Sequence, residues 1–170
     1  MHSQFEAIKQ QYQHRLYGYA YYSLRIAEDA EDVVQEAFLR LWENWQDIDL
    51  PQVGAWLMRV TRNLVIDRVR KNKSGFPQSE VDIDEIAQDD DESRHQEVLK
   101  RIVEQSIAGL DDPYRTTLIL REIQGLSYQE IADILSISVD QVKTDLFRGK
   151  GKLREIVKQH ALYHSELLAG

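Results

Sequence analysis

The chain has no cysteine, only three prolines and only eight glycines among its 170 residues. Without cysteine there can be no disulfide framework, no thiolate nucleophile and no cysteine-ligated zinc. Few Pro and Gly interrupt the chain, and apolar residues recur every three or four positions, so the sequence predicts an all-α protein. No run reaches the roughly 18 apolar residues of a membrane span, and Met1–Gln13 does not resemble a signal peptide. We therefore expect a cytoplasmic protein without direct membrane insertion.

Motifs of enzyme active sites are also lacking. The sequence contains no glycine-rich phosphate loop and no signature of a serine or cysteine triad. His160 and His164 lie one helical turn apart and could share a metal, but no general-base Glu lies between them and no third ligand is evident. Two surface histidines are the interpretation we favour. We expect neither an enzyme, nor a cofactor, nor a metal site.

The net charge of −8 argues against a nucleic-acid partner, but the distribution of charged residues along the chain does not. Residues 51–73 contain six Lys or Arg and one acidic residue, and residues 138–158 contain six and three. Residues 74–92 contain eight acidic residues and no Lys or Arg. Because salt screens charges beyond about 8 Å, the two basic segments can attract phosphate whatever the total charge.

The helical period and its interruptions divide the chain into two helical domains. The first is predicted to contain three helices, at about 5–25, 29–45 and 51–71. The acidic stretch, which also contains Gly75 and Pro77, is typical of a linker. Helical periodicity resumes at about Arg94 and includes a helix at Pro113–Gln124 that ends before Gly125. The predicted divisions are a first domain at 1–73, an acidic linker at 74–93 and a second domain at 94–170.

Two helix-start signals lie close together at the second basic segment. The pattern S-x-x-E/Q occurs at 127–130 and at 138–141. In this capping box the Ser hydroxyl accepts from the backbone N–H three residues later, and the Glu or Gln reaches back to the N–H of the Ser. The spacing predicts a helix at Tyr128–Leu135, a turn at Ser136-Ile137 and a second, basic helix. This is a helix-turn-helix at about 127–147, whose second helix enters the DNA major groove. The alternative is a helical hairpin with a solvated charged face. The inward residues are predicted to be Ile131, Ala132, Leu135, Val142 and Leu146.

Three stretches of the chain resemble the extracytoplasmic-function sigma factors of bacterial RNA polymerase. They read DAEDVVQEAFLRLW at 29–42, WLMRVTRNLVIDRVR at 56–70 and YRTTLILREIQGLSYQEIA at 114–132. They occur in the family's order with the family's linker between them, so the resemblance covers about residues 5–158. It implies a sigma factor that binds core RNA polymerase and directs promoter-specific initiation. Members are commonly sequestered by an anti-sigma factor, so the resemblance also implies such a partner.

For the first domain, the resemblance implies sigma region two, which docks on the polymerase clamp and opens the minus-ten promoter element. A carboxylate-rich face of the second helix suits a basic partner, whereas the residues alone would favour a solvated helix face. The implied clamp residues are Asp29, Asp32, Gln35, Glu36 and Arg40.

The third helix combines cations that can hold phosphates with an aromatic ring and an amide that can stack on and bind an unstacked base. The loop at 46–54 matches the family's loop that captures a flipped base. Trp56 could equally be a core residue, and Asn63 could bond Asp67 one turn later. The minus-ten residues implied are Trp56, Arg59, Arg62, Asn63 and Arg70.

The acidic linker is implied to thread a basic polymerase channel, with a solvated tether as the alternative.

For the second domain, the resemblance implies sigma region four, which reads the minus-thirty-five element. The chain departs from the family's common G-T-V-K-S-R, since residues 140–145 read DQVKTD. Asp145 could accept from cytosine N4 or temper the attraction of neighbouring cations to phosphate. The minus-thirty-five residues implied are Gln141, Lys143, Thr144, Asp145, Arg148 and Lys150.

A stand-alone helix-turn-helix regulator with an N-terminal sensing domain is the alternative function. Such a regulator should bind duplex DNA by itself, usually as a dimer, whereas a sigma factor should need core polymerase for tight promoter binding. The basic third helix favours a sigma factor, because a repressor does not need to open DNA strands.

Overall fold

A computed structural model describes residues 1–72 and 91–169, with side chains described except at 91, 161 and 163–169. Most of the predicted acidic linker, together with the side chain of His164, therefore lies outside the described residues. No strand occurs in the described part of the chain. The prediction of an all-α protein with two helical domains is confirmed. The helices are α1 (His2–Leu24), α2 (Ala27–Glu43), a 3-10 turn (Leu50–Gln52), α3 (Val53–Asn72), α4 (Asp91–Ala108), α5 (Tyr114–Leu118) followed by a π-helical turn (Ile119–Ile123), α6 (Tyr128–Leu135) and α7 (Val139–Ala169).

The first domain consists of α1, α2 and α3 packed on one another. Glu28 and Asp29 lie in the first turn of α2, where the positive end of the helix dipole favours carboxylates. The helix α1 ends at Leu24, and the following Arg25 has a left-handed φ of 62°, which lets its N–H bond the carbonyl of Tyr21. A Cβ at Gly54 would come within 2.8 Å of the Tyr12 ring, so glycine allows α3 to start against α1. The buried face of α2 is formed by Ala30, Val33, Val34, Ala37, Phe38 and Leu41.

The second domain places α7 against α4, α5 and α6. The predicted single helix at Pro113–Gln124 is instead a short α-helix that widens into a π-helical turn before Gly125, which has φ 71°. A side chain at Gly149 would meet Leu118 and Tyr114 at 3.4 Å, so α7 lies close to α5 at that point. The helix α4 begins at Asp91, so the last residues of the predicted linker are helical.

The two domains also pack against each other. The helix α1 contacts α4 and α5, and α3 contacts α6. Their buried apolar residues form one continuous cluster that runs from Leu16 and Leu57 to Ile131 and Val142. None of the helices in the described part of the chain combines the length and apolar character that a membrane crossing requires.

Candidate polymerase and nucleic-acid interfaces

The helix-turn-helix forms where the capping signals predict it. The Ser127 hydroxyl accepts from the N–H of Glu130 at 3.1 Å, and the Ser138 hydroxyl accepts from the N–H of Gln141 at 3.0 Å. Ser136 ends α6 in a left-handed conformation with φ 55°, which makes the tight turn between the helices. The predicted helix at Tyr128–Leu135 is confirmed residue for residue.

The second halves of both capping boxes differ from the prediction. The Glu130 carboxylate accepts from the Ser127 hydroxyl at 3.2 Å. Gln141 points the other way, and its Nε2 donates to Oδ1 of Asp145 at 2.8 Å. The prediction that Gln141 reaches back to Ser138 is therefore wrong, because a carboxylate one turn ahead offers a charge-assisted bond.

The outer side of α7 carries most of the residues predicted to meet the minus-thirty-five element. Gln141, Lys143 and Arg148 are exposed, while Val142 and Leu146 are buried against the rest of the domain. Thr144 is half-buried and donates to the carbonyl of Asp140 at 3.0 Å. Lys150 is exposed and pairs with Glu122 at 3.0 Å.

Asp145 is the exception among the predicted contact residues on α7. It lies on the inner side of the helix and is only 4% exposed. Its carboxylate accepts from the exposed Gln141 above it.

Phe147 is an exposed residue of α7 that the sequence interpretation missed. It is 77% exposed, more than any other exposed large apolar side chain in the described part of the protein. It lies one turn after Lys143 and next to Arg148, in the midst of the predicted DNA-facing surface. An aromatic residue in a helical pattern is normally interpreted as a core residue. Position 147, however, lies off the face of α7 that contains the buried positions 142, 146 and 149.

The polar face of α2 presents only part of the predicted clamp set to solvent. Asp32 and Gln35 are exposed, and Glu36 pairs with Arg40 at 3.0 Å on the surface. Asp29 instead accepts from Arg68 of α3 at 3.0 Å and is half-buried. Asp29 thus ties α2 to α3.

Two apolar residues accompany this face. Leu39 is 51% exposed and Trp42 is 40% exposed, and the two lie in one apolar patch. They border an open groove of about 690 Å³ between α1 and α2, whose lining also includes Gln35 and Phe5. The surface of α2 is therefore a carboxylate-rich edge beside an apolar groove.

The predicted minus-ten residues of α3 divide into two groups. Asn63 and Arg70 are exposed. Trp56 is half-buried and packs on the core cluster. Arg59 and Arg62 are half-buried, and their Nε atoms are buried without a hydrogen-bond partner among the described residues.

Polar bonds join the two domains along a surface that we call the seam. The hydroxyls of Tyr19 and Thr116 are 2.8 Å apart. Nε2 of Gln124 donates to the carbonyl of Arg15 at 2.8 Å. The seam residues are Arg15, Tyr19 and Arg25 of the first domain and Glu104, Thr116 and Gln124 of the second, with Arg25 and Glu104 paired at 3.2 Å.

The centre of the seam is a buried hydroxyl beside charged groups. Burial raises the pKa of Tyr19 to about 12, and the nearby Asp112 charge adds to this effect. The hydrogen bond with Thr116 and the charges of Arg115 and Arg62 act in the opposite direction. Tyr19 is therefore a neutral hydrogen-bonding group, and the charges of Arg62 in the first domain and Arg115 in the second both act on it.

Matches to known proteins cover both domains. The family model of Sigma-70 region 2 matches residues 8–75, and that of Sigma-70, region 4 matches residues 100–153. The ECF RNA polymerase sigma factor SigW of Bacillus subtilis is 34% identical over 158 residues, which cover 85% of this chain and 83% of SigW. The chain belongs to the ECF RNA polymerase sigma factors.

Another relative agrees with this assignment, and two solved structures share the fold. The ECF RNA polymerase sigma factor SigM of Bacillus subtilis is 32% identical over 89% of this sigma factor and 93% of SigM. CnrH, solved in complex with the cytosolic domain of CnrY, shares the fold with a TM-score of 0.67 at 22% identity, covering 94% of this chain and 90% of its own. RpoE, solved with the anti-sigma factor NepR from Bartonella quintana, has a TM-score of 0.66 at 20% identity, and the match covers 91% of this chain and 97% of the RpoE chain.

The predicted function is thereby confirmed. This sigma factor binds core RNA polymerase and directs initiation at promoters, and it is not a stand-alone regulator.

Proposed function

We propose that this sigma factor assigns its three tasks to three separate helix surfaces. The edge of α2 around Asp32 and Glu36 docks on core polymerase, α3 handles the minus-ten strand, and the outer side of α7 reads the minus-thirty-five element. The observation that carries the proposal is the exposed basic side of α7, held on a capped helix-turn-helix that is separate in sequence from the basic helix α3. We propose the domain boundaries 1–73, 74–93 and 94–170, which are supported by the two family matches.

We propose that the clamp surface is larger than its predicted polar residues. Leu39 and Trp42 lie on the same helix as Gln35 and are exposed. Interfaces combine an apolar centre with a polar rim, and exposed aromatic residues contribute strongly to such centres. Asp29, held by Arg68, contributes to the interface by fixing α2 against α3.

The remaining assignments follow from the family. We propose that the protein is a non-catalytic subunit of the polymerase and works in the cytoplasm, where it meets core enzyme. We also propose an anti-sigma factor as a regulatory partner. Support comes from RpoE, which shares this fold and was solved in complex with the anti-sigma factor NepR.

On α7 we propose that Phe147 contacts a thymine methyl group and that Lys143 and Arg148 serve phosphate or guanine. A large apolar side chain exposed among cations matches the apolar contact by which proteins recognise thymine in the major groove. Asp145 acts through Gln141. A carboxylate accepts and cannot donate, so only the NH₂ end of the Gln141 amide can point towards it, which leaves the carbonyl end for an outside donor.

The test of Asp145 is a selection on a randomised minus-thirty-five element. Replacing Asp145 with Ala frees the Gln141 amide to turn, so we expect preference to relax at one base pair by about 1–3 kcal/mol while the rest of the profile stays unchanged. Asp145→Asn, which keeps an acceptor, should change the profile less. Tighter binding by Asp145→Ala across all sequences would instead assign Asp145 to tempering of phosphate attraction.

Asn63 provides the test of strand opening. It is exposed on α3 one turn or so from Arg59, where an amide can bond an unstacked base. Asn63→Ala should reduce open-complex formation on duplex promoter DNA by about tenfold, roughly the loss of one good hydrogen-bonded contact, with a smaller loss on a pre-melted bubble. Permanganate footprinting of both templates measures the two effects. Equal losses would rule out a role in melting.

A further inference from the structure

Tyr128, the first residue of α6, has two cations on its ring that come from the elements before and after α6. The guanidinium carbon of Arg121, in the π-helical turn, lies 4.3 Å from the centroid of the Tyr128 ring. The ammonium of Lys143, near the start of α7, lies 5.8 Å from the same centroid. Both distances are within the range in which the face of an aromatic ring attracts a cation. One side chain of α6 thus gathers charge from both of its neighbours in the chain.

The ring itself is held in place, whereas one of its two cations is not. The Ser127 hydroxyl accepts a backbone N–H and so fixes the start of α6, where the ring is attached. Nη1 of Arg121 donates to the carbonyl of Leu126 at 2.9 Å, and Leu126 is buried. Lys143 is instead exposed, on a long and flexible side chain. Contact with the ring therefore determines where the ammonium of Lys143 lies.

The two cations on the ring lack a compensating carboxylate. Among the described residues, neither Arg121 nor Lys143 forms an ion pair. Glu122, next to Arg121 in the sequence, pairs with Lys150 at 3.0 Å instead. Two like charges held near each other repel, and an anion placed beside both removes that repulsion. The backbone phosphate of DNA is an anion of this kind, and phosphates attract Lys and Arg whatever the base sequence.

The direction in which Lys143 is drawn distinguishes phosphate from base. In a helix-turn-helix the first helix crosses the DNA backbone, and the start of the second helix meets base edges. Lys143 belongs to α7, the second helix, and from its position alone it suits either a phosphate or a guanine. Its ammonium lies on the ring at the start of α6, the first helix. The contact therefore favours the side of the motif along which the DNA backbone runs.

We propose that Tyr128 is a positioning residue that commits Lys143 to a backbone phosphate of the minus-thirty-five element, so that Lys143 reads no base. This inference rests on the proposed role of α7. Arg121, on the same ring, is the second cation that faces this phosphate. Lys143 then supplies affinity and salt dependence, and base preference at the start of α7 is left to other side chains, such as Gln141.

The first test removes the charge of Lys143 and leaves the ring. Holoenzyme containing Lys143→Met should bind duplex promoter DNA about tenfold more weakly, by the same factor for every sequence in a randomised minus-thirty-five element. The logarithmic salt dependence of binding should become shallower by about one unit. Lys158→Met removes an exposed cation farther along α7 and is the matched control, which should bind like the wild type. A changed preference at one base pair with Lys143→Met would show that Lys143 reads a base and would overturn the inference.

The second test asks whether the ring acts through Lys143. Tyr128→Leu should weaken holoenzyme binding to duplex promoter DNA about threefold, the factor expected for an exposed cation–π contact. In the Lys143→Met background the same substitution should have little further effect, because Arg121 remains anchored to Leu126. Tyr128→Phe keeps the ring and should bind like the wild type. A loss with Tyr128→Phe as large as that with Tyr128→Leu would assign the effect to the hydroxyl and contradict the proposal.

The outcomes also separate this inference from the role of α7 on which it rests. If Tyr128→Leu weakens binding equally with and without Lys143, or not at all, only the positioning role fails. If Lys143→Met changes neither the affinity nor its salt dependence, Lys143 does not contact the promoter, and its place in the proposed minus-thirty-five surface fails together with the inference. Affinity for core polymerase, measured on the same proteins, should not change in any of these variants, since α2 is untouched.

Discussion

Reversing two charges on α2 should abolish stable assembly with core polymerase. In Asp32→Lys/Glu36→Lys the carboxylate edge becomes cationic and would meet a basic docking surface. Like charges brought together at an interface cost several kcal/mol, so we expect the dissociation constant to rise about 100-fold, equivalent to roughly 3 kcal/mol. Biolayer interferometry with immobilised core enzyme measures this change. Asp32 is exposed and Glu36 half-exposed, so circular dichroism should not change.

The matched control reverses two exposed carboxylates on other helices. Glu97→Lys/Glu155→Lys makes the same change of net charge on α4 and α7, away from the proposed dock. It should bind core enzyme like the wild type. If both variants weaken binding equally, overall charge and not the α2 edge controls assembly. If neither does, the dock lies elsewhere, and the apolar residues Leu39 and Trp42 become the next to test.

Reversing two charges on α7 should weaken promoter-dependent initiation and leave binding to core polymerase unchanged. Lys143→Glu/Arg148→Glu removes two cations from the outer side of the proposed recognition helix, and we expect each to be worth about 1–3 kcal/mol of promoter contact. Initiation at promoters that need the minus-thirty-five element should fall about 100-fold, the equivalent of roughly 3 kcal/mol. Binding to core enzyme should be unchanged, because α2 is untouched. The logarithmic salt dependence of promoter binding should become shallower by about two units if both cations contact phosphate.

A control for this variant is available on the same helix. Arg154→Glu/Lys158→Glu makes an identical charge change farther along α7, beyond the helix-turn-helix, at exposed positions. It should retain most promoter-dependent initiation. A loss as large as that of Lys143→Glu/Arg148→Glu would mean that α7 attracts DNA by general charge and does not read an element with its first turns.

Local signals predicted much of the fold. Ser127 and Ser138 begin their helices because a hydroxyl at the N-cap satisfies a backbone N–H, and that depends on a few neighbouring residues only. The buried stripe of α2 likewise follows from its period. The π-helical turn after Leu118 was not predicted, because its five residues are too few for the wider period of a π-helix to show in the sequence pattern.

The functional surfaces were less predictable where a side chain departs from the usual behaviour of its type. Asp145 is buried and Phe147 exposed, the reverse of what polarity alone suggests. The rotation of α7 about its own axis decides whether Asp145 or Phe147 faces outwards, and that rotation is set by packing against α4, α5 and α6. Arg59 and Arg62 carry the composition of a nucleic-acid surface, but the burial of their Nε atoms depends on how the helices pack. The packing of the two domains joins residues about a hundred positions apart, such as Tyr19 and Thr116. No local pattern encodes such a pair.

Transcription from a randomised promoter library with purified core polymerase tests the central claim most directly. Core enzyme alone should give no selective initiation. With this sigma factor added, transcripts should arise from a subset of templates that share two separated sequence elements, and Lys143→Glu/Arg148→Glu should remove the requirement for the upstream one. The account would be contradicted if the protein bound duplex DNA tightly by itself, as a dimer, while transcripts with core enzyme showed no selection of template.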